Sequence, residues 1–522
     1  MIHFHMNKIK QIIRYSFLII AACTIFGCSK DYLDIKNENE LNSDNFYSKI
    51  SDFDLALNSV YDAAKGIDLY GQNFYVQTLL ALPHESDYWN AQNRNDVLAS
   101  DGNVAITWKS LYRIVARSND ILENAPKFIE KKNPTPQTIE QLDKVIAQAR
   151  FMRGFAYFHL IKLWGVKSFT EDSTAMGVPI FTKVASTRDD MMKPRSSVGA
   201  VYNFLLADFK AAEEKLPLSW DANNVARISK MAAKGFIGQV YLYMENYGQA
   251  KIYFEEVINS GKYQLVESAR YDDLFQGKNE FSKESLWEIN YTVDMVQNIW
   301  ENGLGSGIAL TCAPPGRGWS NCTPHGVNIQ RFGDDPRSKV CFFAPTDLVA
   351  TTEGTFAPAG ISEFNFTGHS FRKFVPQDYS VYSTNRNSGI NFLIMRLADV
   401  YLMYAEVLNK LGDDANAAEY ANKVRRRAFG FAPEGNQPGV DISSTGTQLR
   451  DAIREERFKE LFAEGHRWYD IVRWKIVEEE VLKYNVMNKT QGPIVFDPKD
   501  YYYPIPLSEL DNNTAMVQSP GY

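Results

Sequence analysis

Apolar and polar positions alternate in blocks along this chain, and the clearest block runs from Met231 to Gly261. It consists of an apolar run, a polar break from Glu245 to Gln249, and a second apolar run. Gly238, Tyr241, Ala250 and Phe254 stand at relative offsets of 0, 3, 12 and 16, the small and aromatic alternation of a tetratricopeptide-like helix pair. One such pair cannot bury its own apolar face, so copies are expected. Ala405, Leu408, Ala417 and Ala421 repeat the offsets around Gly412, and Gly154 with Tyr157 repeats the first two. Phe209, Ala212 and Pro217 read as the second helix of the Gly154 pair, beyond an insert from Gly165 to Ser196.

The same periodicity predicts a first helix over Ser51 to Lys65, with Phe53, Leu57, Val60 and Tyr61 on one stripe, and further helices over Trp108 to Asn124 and Gln141 to Trp164. The last is apolar on more than one face and is expected to be a central buried element. His159 within it reads as a core histidine. From about Glu267 to Phe392 the helical period fades into Gly, Pro, Asn and aromatic residues. An irregular region of that length inside a helical protein is expected to carry function. The pattern returns at Ile394, and the proline-punctuated tail from Tyr501 to Tyr522 is predicted to lie extended on the body. The fold class is therefore all-α: a scaffold of tetratricopeptide-like helix pairs, with long irregular insertions forming a ligand face.

The N-terminus changes the picture of where the chain resides. Lys8, Lys10 and Arg14 precede the apolar run Tyr15 to Phe26, which has the length of a signal-peptide core and is too short to span a bilayer as a helix. Ile25-Phe26-Gly27-Cys28, followed by Ser29-Lys30-Asp31, resembles a bacterial lipoprotein lipobox, with Cys28 as the lipid-bearing first residue of the mature chain. Ile20-Ala21-Ala22-Cys23 also fits the pattern, but Cys28 sits at the edge of the apolar run, where cleavage is expected. Residues 1–27 read as the signal, 28–42 as a polar tether, and 43–522 as a single domain. Loss of residues 1–27 removes three positive charges and no negative ones, taking the formal charge from -7 to -10. That balance excludes an electrostatic case for nucleic acid or anionic lipid headgroups. Cys312, Cys322 and Cys341 remain, and an oxidising exterior permits a bridge between the first two. No CxxC, HExxH or EF-hand pattern occurs, so neither metal nor cofactor is expected.

Three stretches carry a family resemblance: Arg396-Leu397-Ala398-Asp399-Val400-Tyr401-Leu402-Met403-Tyr404-Ala405-Glu406, then Glu464-Gly465-His466-Arg467-Trp468-Tyr469-Asp470-Ile471-Val472-Arg473-Trp474, then Tyr501-Tyr502-Tyr503-Pro504-Ile505-Pro506 with the closing Pro520-Gly521-Tyr522. With the lipobox and Gly261-Lys262-Tyr263, they resemble the SusD/RagB family of outer-membrane nutrient-binding lipoproteins across essentially the whole chain. The resemblance implies a cell-surface protein of a Gram-negative bacterium that binds a glycan and acts as the lid of a SusC-like TonB-dependent transporter. It also implies four tetratricopeptide-like pairs. Phe26 departs from the usual lipobox and bears on the cleavage site.

The family motifs themselves read as structure. Glu455, Glu456, Arg457, Glu460, Glu464, Arg467, Asp470 and Arg473 are spaced for ion pairs along a helix. Ligand contact is expected from aromatic platforms, because a pyranose offers a C–H face to a ring and hydroxyls to amide and guanidinium groups. Tyr88 and Trp89 with Asn90, Asn93 and Arg94 have that composition; Trp319 with Arg317 and Asn321, and Trp300, are further candidates. Trp108, Trp164, Trp287, Trp468 and Trp474 follow apolar patterns and read as core. Glu85 and Asp87 form a weak version of a glycosidase carboxylate pair, and read as loop acids or hydroxyl acceptors. A peptide-binding import protein is the other alternative.

Overall fold

The computed structural model describes residues 46–72, 84–86, 96–293, 304–315, 317–350, 356–360, 368–377, 387–485 and 495–522. The chain forms two units, Met1–Asp52 and Phe53–Tyr522. Helix α1 spans Ile50–Lys65, α2 Gly102–Lys132, α3 Pro136–Trp164, α4 Val198–Lys215, α5 Lys230–Tyr243 and α6 Tyr247–Ile258. After a long connector come α7 Leu397–Lys410, α8 Asp414–Ala428, α9 Gly446–Glu460, α10 Arg467–Arg473 and α11 Val477–Asn485.

Side-chain caps set several of the starts. Asp101, Thr135, Ser197, Ser229, Asn246 and Asp413 each accept a hydrogen bond from a backbone N–H of the first turn. The Asp101 cap explains why α2 begins six residues before the periodicity at Trp108 becomes visible, and α2 then runs on through Pro126. From α2 to α9 each helix packs against its successor, so the scaffold is a series in which neighbours bury one another's faces.

Small residues allow the close approaches. A Cβ added at Gly238 would lie 2.7 Å from the Phe254 ring, and one at Gly154 would lie 3.1 Å from the Phe209 ring. The glycines of α5 and α3 therefore seat aromatic rings of α6 and α4, as the spacing predicted. Ala405, Leu408, Ala417 and Ala421 are all buried between α7 and α8. Gly412, at φ +83°, makes the turn between those two helices.

Among the described residues, four antiparallel two-stranded sheets decorate this scaffold. β1 (His84–Ser86) pairs with β3 (Cys322–Pro324), and β2 (Ser285–Ile289) with β8 (Phe392–Arg396). β4 (Phe342–Phe343) pairs with β7 (Ser370–Phe371), and β5 (Leu348–Ala350) with β6 (Phe356–Pro358). The β2–β8 pair closes the neck of the α6–α7 connector. Ile394 belongs to β8, so the apolar pattern resumes in a strand and the helix begins only at Leu397, whose N–H donates to Glu284 O at 2.8 Å.

The tail lies on the body, as its prolines suggested, but it is not wholly extended: Leu507–Asn512 is helical. Tyr503 N donates to Leu163 O at 2.6 Å, and Trp164 Nε1 donates to Pro504 O at 2.8 Å. Among the described residues, no helix is long and apolar enough to cross a membrane.

Candidate functional site

Residues 304–315 and 317–324 carry the described candidates of the expected ligand face, Arg317, Trp319 and Asn321. A short helix, Ile308–Cys312, is buried along its length, and the following loop folds back on it. Trp319 N donates to Leu310 O at 2.6 Å and Asn321 N to Thr311 O at 3.0 Å. Gly318 sits so close to the carbonyls of Leu310 and Ala309 that no side chain fits there. Ser320 has φ +53° and is buried with an Oγ that lacks a hydrogen-bond partner. A non-glycine residue held in the left-handed region stores of order 1–3 kcal/mol. Here it turns the chain so that Trp319 stands out, 44% exposed.

The three described candidates do different things. Trp319 presents its indole at the surface. The half-buried Asn321 side chain makes no hydrogen bond among the described residues, so its amide remains available. Arg317 is instead a fastener: Nη1 donates to Pro315 O at 3.1 Å, and Nη2 to Val349 O at 3.3 Å and Pro358 O at 3.5 Å, tying the loop to the β5–β6 hairpin. Burial lowers its pKa from the ordinary arginine value. Tyr88, Trp89, Asn90, Asn93, Arg94, Trp300 and Cys28 lie outside the described residues. The β1–β3 register pairs Ser86 with Cys322, so the chain leading to Trp89 and the chain leaving Trp319 meet at one bridge.

Cys312, Cys322 and Cys341 are buried thiols, and none is in a disulfide. Backbone bonds to the Ile308–Cys312 helix hold the loop in place of the bridge that its spacing permitted. No cluster of three or more His, Cys, Asp or Glu suited to a metal ion occurs among the described residues.

The charged motif residues are structural, but apart from Asp470 with Arg473 they pair between elements rather than along one helix. Arg396, at the end of β8, donates to Glu284 Oε1 and Glu460 Oε1 at 2.7 Å and to Glu464 at 2.7 and 2.8 Å. Arg427 reaches Glu284 and Glu460, while Arg337 reaches Glu456 at 2.7 Å, Glu460 at 3.1 Å and Asp335 at 2.8 Å. Burial alone would raise the Glu460 pKa, but Arg427, Arg396 and Arg337 hold it well below the usual carboxylate range. In a second cluster Arg457 joins Asp399 at 2.6 Å and Asp470 at 2.9 Å, and Arg473 joins Asp470 at 2.9 Å and Glu406. Arg467 pairs with Glu480 and Glu455 with Arg331. These partners come from different elements, so the motif locks α7, α8, α9 and α10 together.

The tryptophans read as core, Trp108, Trp164, Trp287, Trp468 and Trp474, are all buried. His159 is a core histidine with its ring nitrogens 2.8 Å from Tyr70 Oη and 3.1 Å from Tyr469 Oη. Burial, with the Lys162 charge, pulls its pKa well below the ordinary value. The periodicity did not single out Lys162, although a lone cation beside Leu160, Ile161 and Leu163 was a visible signal.

Comparison with known proteins agrees with this architecture. Residues 343–522 match the model of the SusD family, and residues 31–242 match a model described as starch-binding, associating with outer membrane. SusD-like protein P25 of Formosa agariphila is 27% identical over 98% of both chains. A SusD homolog from Bacteroides thetaiotaomicron superposes with a TM-score of 0.76 at 23% identity, covering 92% of this chain and 98% of that one. A laminarin-binding SusD-like protein superposes with a TM-score of 0.71 at 22% identity, over 91% of this chain and 100% of the other. With its helix-pair scaffold, its interlocked Arg and Glu motif and these matches at both ends, the chain belongs to the SusD/RagB family.

Proposed function

We propose that this protein is a cell-surface glycan-binding lipoprotein, anchored through Cys28, that captures oligo- or polysaccharide and serves as the lid of a SusC-like TonB-dependent transporter. The observation that carries the reading is Trp319, an exposed indole on a loop held rigid by Gly318, Ser320 and Arg317, with the Asn321 amide beside it. A rigid ring covers a sugar's C–H face at little entropic cost, and an adjacent amide meets its hydroxyls. The β1–β3 bridge supports a shared face for the Trp89 and Trp319 segments, since each tryptophan is three positions along the chain from the Ser86–Cys322 pair. Starch binding in the family description and laminarin binding by a structural neighbour support a glycan as the ligand class. The reading is of a binder that performs no chemistry on the sugar.

Affinity electrophoresis of the chain from Ser29, through gels containing starch, laminarin or other polysaccharides, tests this, with reducing-end release assayed alongside. Retardation by a polymer without release is expected. Trp319→Ala should weaken that binding by about 2 kcal/mol, roughly 30-fold, as loss of a stacking hot spot does. Normal binding by Trp319→Ala would remove the site, oligopeptide binding without sugar binding would replace the ligand class, and release of sugar ends would make the protein an enzyme. Intact mass of the membrane-extracted protein tests the anchor: a mature mass without acyl chains would exclude it.

A further inference from the structure

Away from the Trp319 loop, a cleft of about 500 Å³ opens where the ends of α3 and α5 meet α7, α10 and the C-terminal tail. Clefts of that volume take small ligands. Its wall is aromatic, with Tyr243, Tyr469, Trp474 and Tyr501 among the lining side chains, and Lys162 stands in it. Several cations of the wall are paired, Arg473 with Glu406 and Asp470, Lys475 with Glu171 at 2.9 Å and Arg454 with Asp451 at 3.7 Å, while Lys167 and Lys410 lie among the lining residues with no ion pair among the described residues. Lys162 is likewise unpaired. Its Nζ lies 3.8 Å from the Tyr469 ring centroid, 4.3 Å from that of Phe158 and 5.8 Å from that of Tyr243. Among the described residues it has neither a hydrogen-bond acceptor nor a carboxylate within ion-pair distance.

An ammonium packed against ring faces gains cation–π attraction, but rings accept none of its three N–H donors in the way an oxygen does. Burial lowers its pKa to about 7, with Asp470 and Asp399 offsetting part of the effect from a distance. A methionine would fill the same space with no desolvation cost, so the charge has a use that packing does not supply.

We propose that this cleft is a second binding site, for an acidic sugar, in which Lys162 receives the carboxylate of a uronic acid and the tyrosine rings cover its pyranose face. The sugar half of the assignment rests on the glycan reading above; the carboxylate half rests on Lys162 alone.

The test titrates the full soluble chain from Ser29 with methyl β-D-glucuronide, methyl β-D-glucoside and acetate, read by calorimetry and by the side-chain NMR signal of Lys162. The glucuronide should bind, the neutral glucoside at least tenfold more weakly, and the Lys162 pKa should rise in the complex. Lys162→Met should lower glucuronide affinity at least tenfold and Trp319→Ala should leave it unchanged. Acetate raising the Lys162 pKa while the glucuronide does no better would overturn the sugar half and keep the anion site. No shift of the Lys162 signal with either acid would overturn the proposal, as would glucuronide binding that depends on Trp319; the NMR arm uses wild-type protein and holds even where Lys162→Met fails to fold.

Discussion

Replacing Glu460 with glutamine removes one negative charge and almost no volume from the centre of the buried ion cluster. In the wild-type protein Oε1 accepts from Arg396 and Arg427 and Oε2 from Arg337, the last at 3.1 Å. A glutamine can offer its single carbonyl oxygen to Arg396 and Arg427 only by turning its NH2 toward Arg337, setting donor against donor. The side chain is fully buried, so no water relieves the conflict. Removing one partner of a buried pair costs about 3–5 kcal/mol. Glu284, Glu464, Glu456 and Asp335 remain to compensate the three arginines, which places Glu460→Gln at the low end, about 3 kcal/mol. Equilibrium denaturation of the soluble chain, followed by circular dichroism, measures it as a lower midpoint at unchanged slope. Glu455→Gln is the internal control, because Glu455 is 37% exposed and its pairing is worth about 1 kcal/mol or less. A Glu460→Gln midpoint equivalent to within about 0.5 kcal/mol of wild type, or equal losses in both variants, would refute the view that this cluster holds the helices together.

Other substitutions probe the remaining parts of the fold. Gly238→Ala drives a methyl group into the Phe254 ring 2.7 Å away, whereas Gly154→Ala meets Phe209 at 3.1 Å; over-packing of about 1–3 kcal/mol outweighs the helix-propensity gain of about 1 kcal/mol at Gly238, and Gly154→Ala should cost less. Thermal midpoints in the reverse order would contradict that account. Arg467→Ala removes one of the partners of Glu480 and a guanidinium 5.0 Å from the Phe458 ring, so stability should fall while polysaccharide retardation persists; an unchanged midpoint with lost retardation would make Arg467 a ligand residue instead. Burial would raise the Asp470 and Glu480 pKa values, but Arg457 and Arg473 hold the first, and Arg467 and Arg331 the second, at about 2. Both folded values lie below the ordinary 3.8 and 4.5, so their stabilisation, about 2–3 kcal/mol each, is present above pH 4.5 and lost as pH falls toward 2. A denaturation midpoint constant from pH 5 to pH 2.5 would exclude it.

Helix pairing was legible because it is a local property. The residues at offsets of 3, 12 and 16 from Gly238 lie within two turns and a break of one another, and the close approach needs a small residue whatever the rest of the chain does. The same holds for the buried tryptophans, which sit in apolar stripes, and for Phe53, Leu57 and Val60 on α1. The helix around Trp108 was read too short because its start depends on the Asp101 cap, outside the apolar pattern. Spacing found the Asp470–Arg473 pair but not the other partners of the charged motif: Glu460 and Glu464 are bound by Arg396, Arg427, Arg337 and Lys373, which arrive from β8, α8 and the connector.

The candidate sites divide along the same line. Composition marks Trp319 and Asn321 as ligand-like, but only the folded loop shows that Arg317 is committed to carbonyls of the β5–β6 hairpin and that Ser320 takes the left-handed turn exposing the indole. The bridge joining Ser86 to Cys322 and the setting of Lys162 unite residues hundreds of positions apart. Sequence alone determined the helical scaffold, because periodicity and small-residue spacing act over a few turns. Tertiary structure decided which charges meet, which aromatic ring faces outward and which cation is left facing rings, because each depends on where distant elements place their side chains.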